Sequence, residues 1–182
     1  MGMHMGAQHH ALRGRRARTS EGGAAAVEFA LVSTVLFIFL FGIVQYGLYF
    51  NDSLNARQGV REAARQGVVQ MPASSYGSCG SAGVTWAKLK CFTKAQVGGI
   101  TGSTYVHLVV PDTGGWKKGN RLIVCAAVKS DGLVGILPMP NGGVIRGIGE
   151  LSIEQDSAPP TDVLATANSD SDPSGLGWSW CA

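Results

Sequence analysis

The sequence contains few charged residues and little proline. Asp, Glu, Lys and Arg make up 15% of the 182 residues, whereas a typical soluble domain has about 25%. This scarcity of charge, together with an apolar share of 45%, excludes an intrinsically disordered chain. Glycine is abundant, at 26 residues, but it follows no Gly-X-Y period, which excludes a collagen-like chain. The small formal net charge of +3 gives no indication of a nucleic-acid partner.

The sequence also lacks the short motifs that mark common enzymes and metal sites. It contains no G-x-S-x-G, P-loop or H-E-x-x-H pattern. His107 is the only histidine after residue 10, and we interpret it as a structural histidine with satisfied hydrogen bonds, because it lies in a strand-like run. The glycine-rich residues 98–103 resemble a phosphate-binding loop, but they lack the lysine that follows the glycines in such loops. We therefore interpret them as an ordinary loop. These absences predict a protein that is not an enzyme and that uses no metal or cofactor.

One stretch concentrates the apolar residues. Residues 24–50 carry a single formal charge, Glu28, and apolar side chains on every face of a helix. Such a helix would be about 40 Å long, which exceeds the roughly 30 Å hydrocarbon core of a bilayer. A helix that is apolar all round needs lipid or a large protein core, and a chain of this length cannot easily supply that core. We therefore predict one transmembrane helix over residues 24–50, which is too long for a cleavable secretory signal.

The arginines predict the orientation of this helix. Residues 1–23 contain four arginines and only one acid, Glu21, so that segment is predicted to stay in the cytoplasm while the C-terminal part is exported. Arg57, Arg61 and Arg65 follow on the far side and reduce the asymmetry. These three share one helix face, which favours a solvated face over contact with lipid headgroups or a partner subunit.

All four cysteines lie beyond the apolar stretch. Cys79, Cys91, Cys125 and Cys181 form no C-x-x-C pair, so a zinc site has no obvious ligand set. Cysteines on one side of a membrane suit an oxidising compartment and favour disulfides over free buried thiols. Three pairings are possible, and we favour Cys79–Cys91 with Cys125–Cys181, which would close a short loop and tie down the C-terminal tail.

The rest of the chain predicts a small exported α+β domain. Residues 51–70 lack proline and are rich in helix formers, so the helix is expected to continue outside the membrane. Within residues 71–156 we expect a short helix at 86–97 and strands at 105–110, 122–128 and 144–153, the last as one or two strands. The predicted antiparallel sheet packs on the outer part of the long helix. Residues 157–182 form a polar tail that Trp178, Trp180 and Cys181 anchor at its end.

The junction before the apolar stretch carries the most specific pattern. Basic residues 13–18 lead to Gly22 and Gly23, then four small or apolar residues, Glu28 and Phe29. Over residues 22–67 the chain resembles the TadE-like family of tight-adherence (Flp-type) pilus assembly proteins, which are related in processing to type IV pilins. A carboxylate at the start of a membrane helix is costly without a partner.

This resemblance implies that a prepilin peptidase cuts between Gly23 and Ala24 and removes the basic leader of residues 1–23. Gly22 leaves an ambiguity of one residue in the cleavage point. Glu28 would then pair with the new amine on Ala24 of a neighbouring subunit, since pairing favours the correct axial register. The alternative is that Glu28 only caps the helix, where the dipole favours an anion.

The resulting expectation is a single-pass protein of the bacterial cytoplasmic membrane, acting as a minor pilin or pseudopilin in a Tad-type pilus or secretion apparatus, with possible incorporation into an extracellular pilus. Its expected partners are membrane lipid, the prepilin peptidase, and other pilin-like and assembly proteins. The alternative function is an uncleaved, signal-anchored extracytoplasmic binding domain outside any pilus.

Overall fold

The fold consists of a long helix, a short helix and a three-stranded sheet. The computed structural model describes residues 21–69, 79, 86–130, 137–155, 169–173, 175 and 177–181. In chain order its main elements are α1 (Glu21–Val68), α2 (Trp86–Val97), β1 (Gly102–Val109), β2 (Arg121–Ser130) and β3 (Val144–Ser152). The chain divides into two units, residues 1–40 and 41–182, and α1 runs through both. These elements confirm the predicted α+β class with a long N-terminal helix and an antiparallel sheet.

Helix α1 is one uninterrupted element of 48 residues. Its sequence contains no proline, so every interior amide can donate to the carbonyl four residues earlier. The helix starts at Glu21, inside the segment that the resemblance assigns to the leader. It ends at Val68, four residues before Pro72, a residue that could not continue the helical hydrogen bonding.

The sheet has the order β1-β2-β3, with antiparallel pairing throughout. The central strand β2 contains the predicted strand at 122–128 and extends it at both ends. Alternate residues of β2 point to the same face. One face carries Leu122, Val124, Ala126 and Val128, which are completely buried. The opposite face, with Ile123, Cys125 and Ala127, is buried as well.

Glycines allow strand β3 to lie directly on the outer part of α1. A Cβ at Gly147 would come within 2.9 Å of the carbonyl oxygen of Ala56, and one at Gly149 within 2.6 Å of that of Val60. Both distances are shorter than real Cβ contacts, so only glycine fits here without a shift. This close packing buries the small side chains of α1 and makes residues 56–68 the helical side of the core.

The outer face of the sheet carries a second, smaller cluster formed with the C-terminal end of the chain. Cys181 is bonded to Cys125 of β2, and Trp178 stacks on His107 of β1 with ring centroids 5.2 Å apart. Asp170 pairs with Lys90 and Lys94 of α2 at 3.3 and 2.8 Å. The described C-terminal residues thus contact both the sheet and α2. Residues 157–168, 174, 176 and 182 of the predicted polar tail lie outside the described part of the chain.

Candidate functional site

The first half of α1 is a continuous exposed apolar surface. From Val27 to Val44 the large apolar side chains are between 44% and 74% exposed, with Phe29 at 73% and Ile43 at 74%. Within the described residues, α1 is the one helix that is long and apolar enough to cross a membrane. Exposed apolar area of this extent is unfavourable in water, so this surface requires lipid or partner proteins around it.

The predicted processing site lies in the first turns of this helix. The Gly23–Ala24 peptide is helical, and both residues are exposed. A Cβ built on Gly23 would meet no atom within 4 Å, so packing does not require glycine at this position. A glycine near the end of a helix lowers the cost of local unwinding.

Glu28 lies one helical turn beyond Ala24 on the same face, at a rise of about 6 Å. Its side chain is exposed, and it forms no ion pair with any described residue. The neighbouring Phe29 is also exposed. The hydroxyl groups of Ser33 and Thr34, the next polar residues, instead donate to the carbonyl of Ala30 at 3.0 and 2.8 Å. Glu28 is thus the polar group of this segment that has no partner within the described chain.

The exposed apolar surface ends where the loop after β2 packs on the helix. The Gln45 amide donates to the carbonyl of Leu137 at 3.3 Å and to the sulfur of Met139 at 2.9 Å, and the Tyr46 hydroxyl donates to the carbonyl of Pro138 at 2.9 Å. Gln45 is only 2% exposed. Protein therefore covers one side of the helix from about residue 45, within the predicted span of residues 24–50.

The structure places both disulfides in the favoured pairing. Cys79 is bonded to Cys91 of α2 and Cys125 of β2 to Cys181, and the Cα atoms are 5.7 and 6.0 Å apart. The structure has no free cysteine among the described residues. Both bonds lie in the unit of residues 41–182.

His107 is a packing residue, but one part of the prediction for it is wrong. Its ring stacks on Trp178, and burial lowers the pKa of the imidazole. Its Nδ1 atom is buried and has no hydrogen-bond partner among the described residues. The expectation that all hydrogen bonds of this histidine are satisfied is therefore not met. Because β1 is an edge strand, its outward side chains are covered by the C-terminal residues, and the Trp178 ring stacks on the imidazole.

The glycine-rich segment at residues 98–103, predicted to be a loop, is a loop only up to Thr101, because strand β1 begins at Gly102. The loop part has a structural role that the sequence does not reveal. The amides of Ile100 and Thr101 donate to the carboxylate of Asp52 at 3.0 and 2.9 Å, and the Thr101 hydroxyl also donates to it. Asp52 is fully buried in α1. The amides of this loop therefore bind a carboxylate that belongs to the same protein.

The three arginines that share one face of α1, here called the arginine stripe, lie in two different environments. Arg57, Arg61 and Arg65 are all exposed, and Arg65 pairs with Glu62 at 2.8 Å. Arg61 and Arg65 line a groove against residues 148–151 of β3, whereas Arg57 lines a different, polar pocket near the start of β3. No group of three or more His, Cys, Asp or Glu residues is placed for a metal ion within the described ranges.

These features define a membrane-anchored α+β protein in which an exposed apolar helix carries a disulfide-containing domain. Residues 23–65 match the family model described as TadE-like protein. The match spans about a quarter of the chain, begins at Gly23 and includes Glu28, Phe29 and the arginine stripe. It confirms the resemblance that the junction and the helix indicate. No characterised protein and no solved structure gives a significant match.

Proposed function

We propose that this protein is a pilin-like subunit that a prepilin peptidase processes after Gly23 and that acts in assembly of a Tad-type pilus or secretion apparatus. The main support is the position of the exposed apolar surface, which starts directly after Gly23. Glu28, which forms no ion pair with a described residue, lies one helical turn into it. The family match over residues 23–65 supports the same function. The role is structural, since pilin-like proteins act by assembly and not by catalysis.

The dimensions of the helix fit this proposal. Residues 24–44 would span about 31 Å as a helix, close to the roughly 30 Å hydrocarbon core of a bilayer. The protein cover that begins near Gln45 would then start at the outer surface of the membrane. In this orientation residues 1–23 are cytoplasmic, the sheet is exported, and both disulfides form in an oxidising compartment.

Processing would change the charge at the base of the helix. Cleavage replaces the Gly23–Ala24 peptide by a free ammonium group on Ala24, one turn from Glu28. In lipid or in a filament core each of these charges is costly alone. Pairing of Glu28 with the amine of an adjacent subunit removes both costs and fixes the axial position of one helix against the next.

N-terminal sequencing of the protein purified from membranes tests this function. We expect the chain to start at Ala24 in cells that contain a prepilin peptidase and to retain its leader in cells that lack it. Gly23→Val should block removal of the leader, whereas Gly22→Val, the matched control, should still be cut after Gly23. Retention of residues 1–23 in the native membrane protein would support the alternative function, an uncleaved signal-anchored binding domain.

A further inference from the structure

The connection between β2 and β3, residues 131–143, is apolar where it meets α1. From residue 132 to residue 145 the sequence contains no charged residue, whereas connections are usually rich in polar residues. Of the β2–β3 connection the structure describes residues 137–143. At the level of α1 where residues 137–139 pack, Phe41, Ile43 and Val44 remain exposed. The connection is therefore continuous with the exposed apolar surface of the helix.

Three residues of α1 hold the connection at one level of the helix. A Cβ at Gly42 would come within 3.2 Å of the Cδ1 atom of Leu137, so the absence of a side chain at Gly42 leaves room for this leucine. The Gln45 amide donates to the carbonyl of Leu137, and the Tyr46 hydroxyl donates to the carbonyl of Pro138. Gly42, Gln45 and Tyr46 lie within about one helical turn, so all these contacts form at the same height.

The backbone of residues 137–140 suits an environment without water. The carbonyls of Leu137 and Pro138 accept hydrogen bonds from α1, and Pro138 and Pro140 have no amide hydrogen that would need an acceptor. Both prolines are exposed, whereas Leu137 and Met139 are half-buried. Irregular backbone is tolerated at membrane depth only where its polar groups are satisfied by the protein. The carbonyls of Leu137 and Pro138 meet this condition.

The connection lies at the end of the sheet that is nearest to the apolar part of α1. Gly147 packs against Ala56, and Gly149, further along β3, packs against Val60. Strand β3 therefore runs beside α1 in the same direction. Its first residues, together with the connection that precedes them, lie toward residue 41 of the helix, and its last residues lie toward residue 68.

We propose that residues 137–140 enter the boundary between the headgroups and the acyl chains of the bilayer, as a second membrane contact beside α1. The partner of this surface is lipid, because the surface continues the exposed apolar surface of the helix. If residues 24–44 span the hydrocarbon core, Gly42 lies about 3 Å inside it, and interfacial elements bury their apolar face about 5–10 Å into this boundary. Tyr46 fits the same level, since tyrosine is enriched at membrane interfaces. The inference rests on the membrane anchoring in the proposed function, but not on processing or assembly.

The accessibility of a nitroxide spin label tests this contact in the full chain, reconstituted in phosphatidylcholine vesicles. All four cysteines form disulfides, so a single introduced cysteine can be labelled selectively. Pro138→Cys places the label on the exposed side of the connection and keeps the carbonyl that Tyr46 binds. Collisions of the label with oxygen, which enters the acyl chains, are compared with collisions with a polar nickel complex, which stays in water.

Two further label positions serve as references. Lys118→Cys lies in the connection between β1 and β2, where Lys118 is exposed and the amide of the next residue, Gly119, donates to the carbonyl of Ile153, just beyond the end of β3. This position is therefore at the end of the sheet away from the proposed contact. Leu36→Cys lies in the exposed apolar part of α1 and reports whether the helix itself is in the bilayer.

We expect the ratio of oxygen to nickel collisions to be about fivefold higher at Pro138 than at Lys118, because the polar complex is excluded from an apolar medium. A high ratio at Leu36 with equal, low ratios at Pro138 and Lys118 would overturn the second contact and leave the anchoring intact. A low ratio at all three positions would overturn the anchoring and the second contact together.

Two glycine variants test the position of the connection on α1 with the label kept at Pro138. Gly42→Val should lower the collision ratio toward the value at Lys118, because the added methyl groups need the space that Leu137 occupies. Gly47→Val is the matched control, since it adds the same side chain to the same helix where a Cβ meets nothing within 4 Å. An unchanged ratio in Gly42→Val, or an equal fall in both variants, would contradict the position assigned to the connection.

Discussion

Gly149 of β3 packs against the backbone of Val60 in α1, so closely that a Cβ would come within 2.6 Å of the Val60 carbonyl oxygen. The sheet and the long helix thus meet backbone to backbone at this point. A side chain here cannot be accommodated by rotation of a neighbour, because the atom that it would meet belongs to a helical peptide group.

Gly149→Ala should therefore destabilise the unit of residues 41–182, although it adds only one methyl group. We expect a loss of about 1–3 kcal/mol in the free energy of unfolding, the usual cost of overpacking. Chemical denaturation followed by tryptophan fluorescence measures it. Gly47→Ala is the control, since a Cβ at Gly47 meets nothing within 4 Å and alanine favours a helix. Equal stability of Gly149→Ala and the wild type would show that the strand and helix can separate at little cost.

Asp52 is the second fixed point between α1 and the rest of the domain. Asp52→Ala removes the acceptor for the amides of Ile100 and Thr101 and leaves those groups near a buried site without a partner. Each unsatisfied buried donor costs about 1–3 kcal/mol. We expect a clear drop in stability in denaturant, together with faster hydrogen exchange at these two amides.

Asn51→Ala is the matched control for this effect. Asn51 is the exposed neighbour of Asp52 on the same helix, so its loss should leave both the stability and the exchange rates of Ile100 and Thr101 almost unchanged. Slow exchange at both amides in Asp52→Ala would contradict the role given to the carboxylate.

The elements of this fold could largely be predicted from the sequence, because they depend on local patterns. The alternation in β2 places Val124 and Ala126 on one face, and the cysteine spacing favours the pairing that the structure shows. The contact of Asp52 with Thr101 could not be predicted, since the two are 49 positions apart and no local pattern records which loop a buried carboxylate will meet.

The candidate site, like the fold, could be predicted from the sequence only where it depends on a local pattern. The position of Glu28 after Gly23 is a property of one short segment and is visible in the sequence. The cover on Gln45 depends on Leu137 and Met139, which reach the helix only because β2 and β3 form a hairpin. A single sequence does not show which part of α1 this loop will cover. Residues 45–50 therefore look as apolar as the rest of the predicted span.

The position of Asp170 predicts a pH dependence of stability. Burial raises the pKa of this carboxyl, but the hydrogen bond from Lys94, the amide of Val106 and the charge of Lys90 outweigh burial, and the pKa is lowered overall. A carboxyl with a lowered folded-state pKa stabilises the protein above its unfolded-state pKa, about 3.9. That contribution is lost as the pH falls through the folded-state value.

Asp170→Asn should therefore be less stable than the wild type at pH 7, by about 1–3 kcal/mol, and the difference should shrink at pH values below about 4. Free energies of unfolding between pH 7 and the acid limit of folding check this. Glu154→Gln, a change at an exposed acid that forms no ion pair within the described chain, should leave the profile unchanged. A difference that stays constant with pH would assign the loss to packing and not to charge.

Glu28 is expected to act after membrane insertion and processing, at the step in which subunits associate. Glu28→Ala and Glu28→Gln should both reach the membrane and lose residues 1–23, because neither change makes the helix less apolar. Both should fail to associate with other pilin-like subunits, since the ammonium on Ala24 of the neighbour is left without a counter-charge in a medium of low dielectric. Membrane fractionation, N-terminal sequencing and co-purification of tagged subunits separate the three steps.

Thr34→Ala is the control in the same segment, because the Thr34 hydroxyl is already bonded to Ala30 within its own helix and is not needed by a neighbour. If Glu28→Gln associated as the wild type does, a neutral hydrogen-bonding group would suffice at this position, and the charge pair between subunits would be wrong.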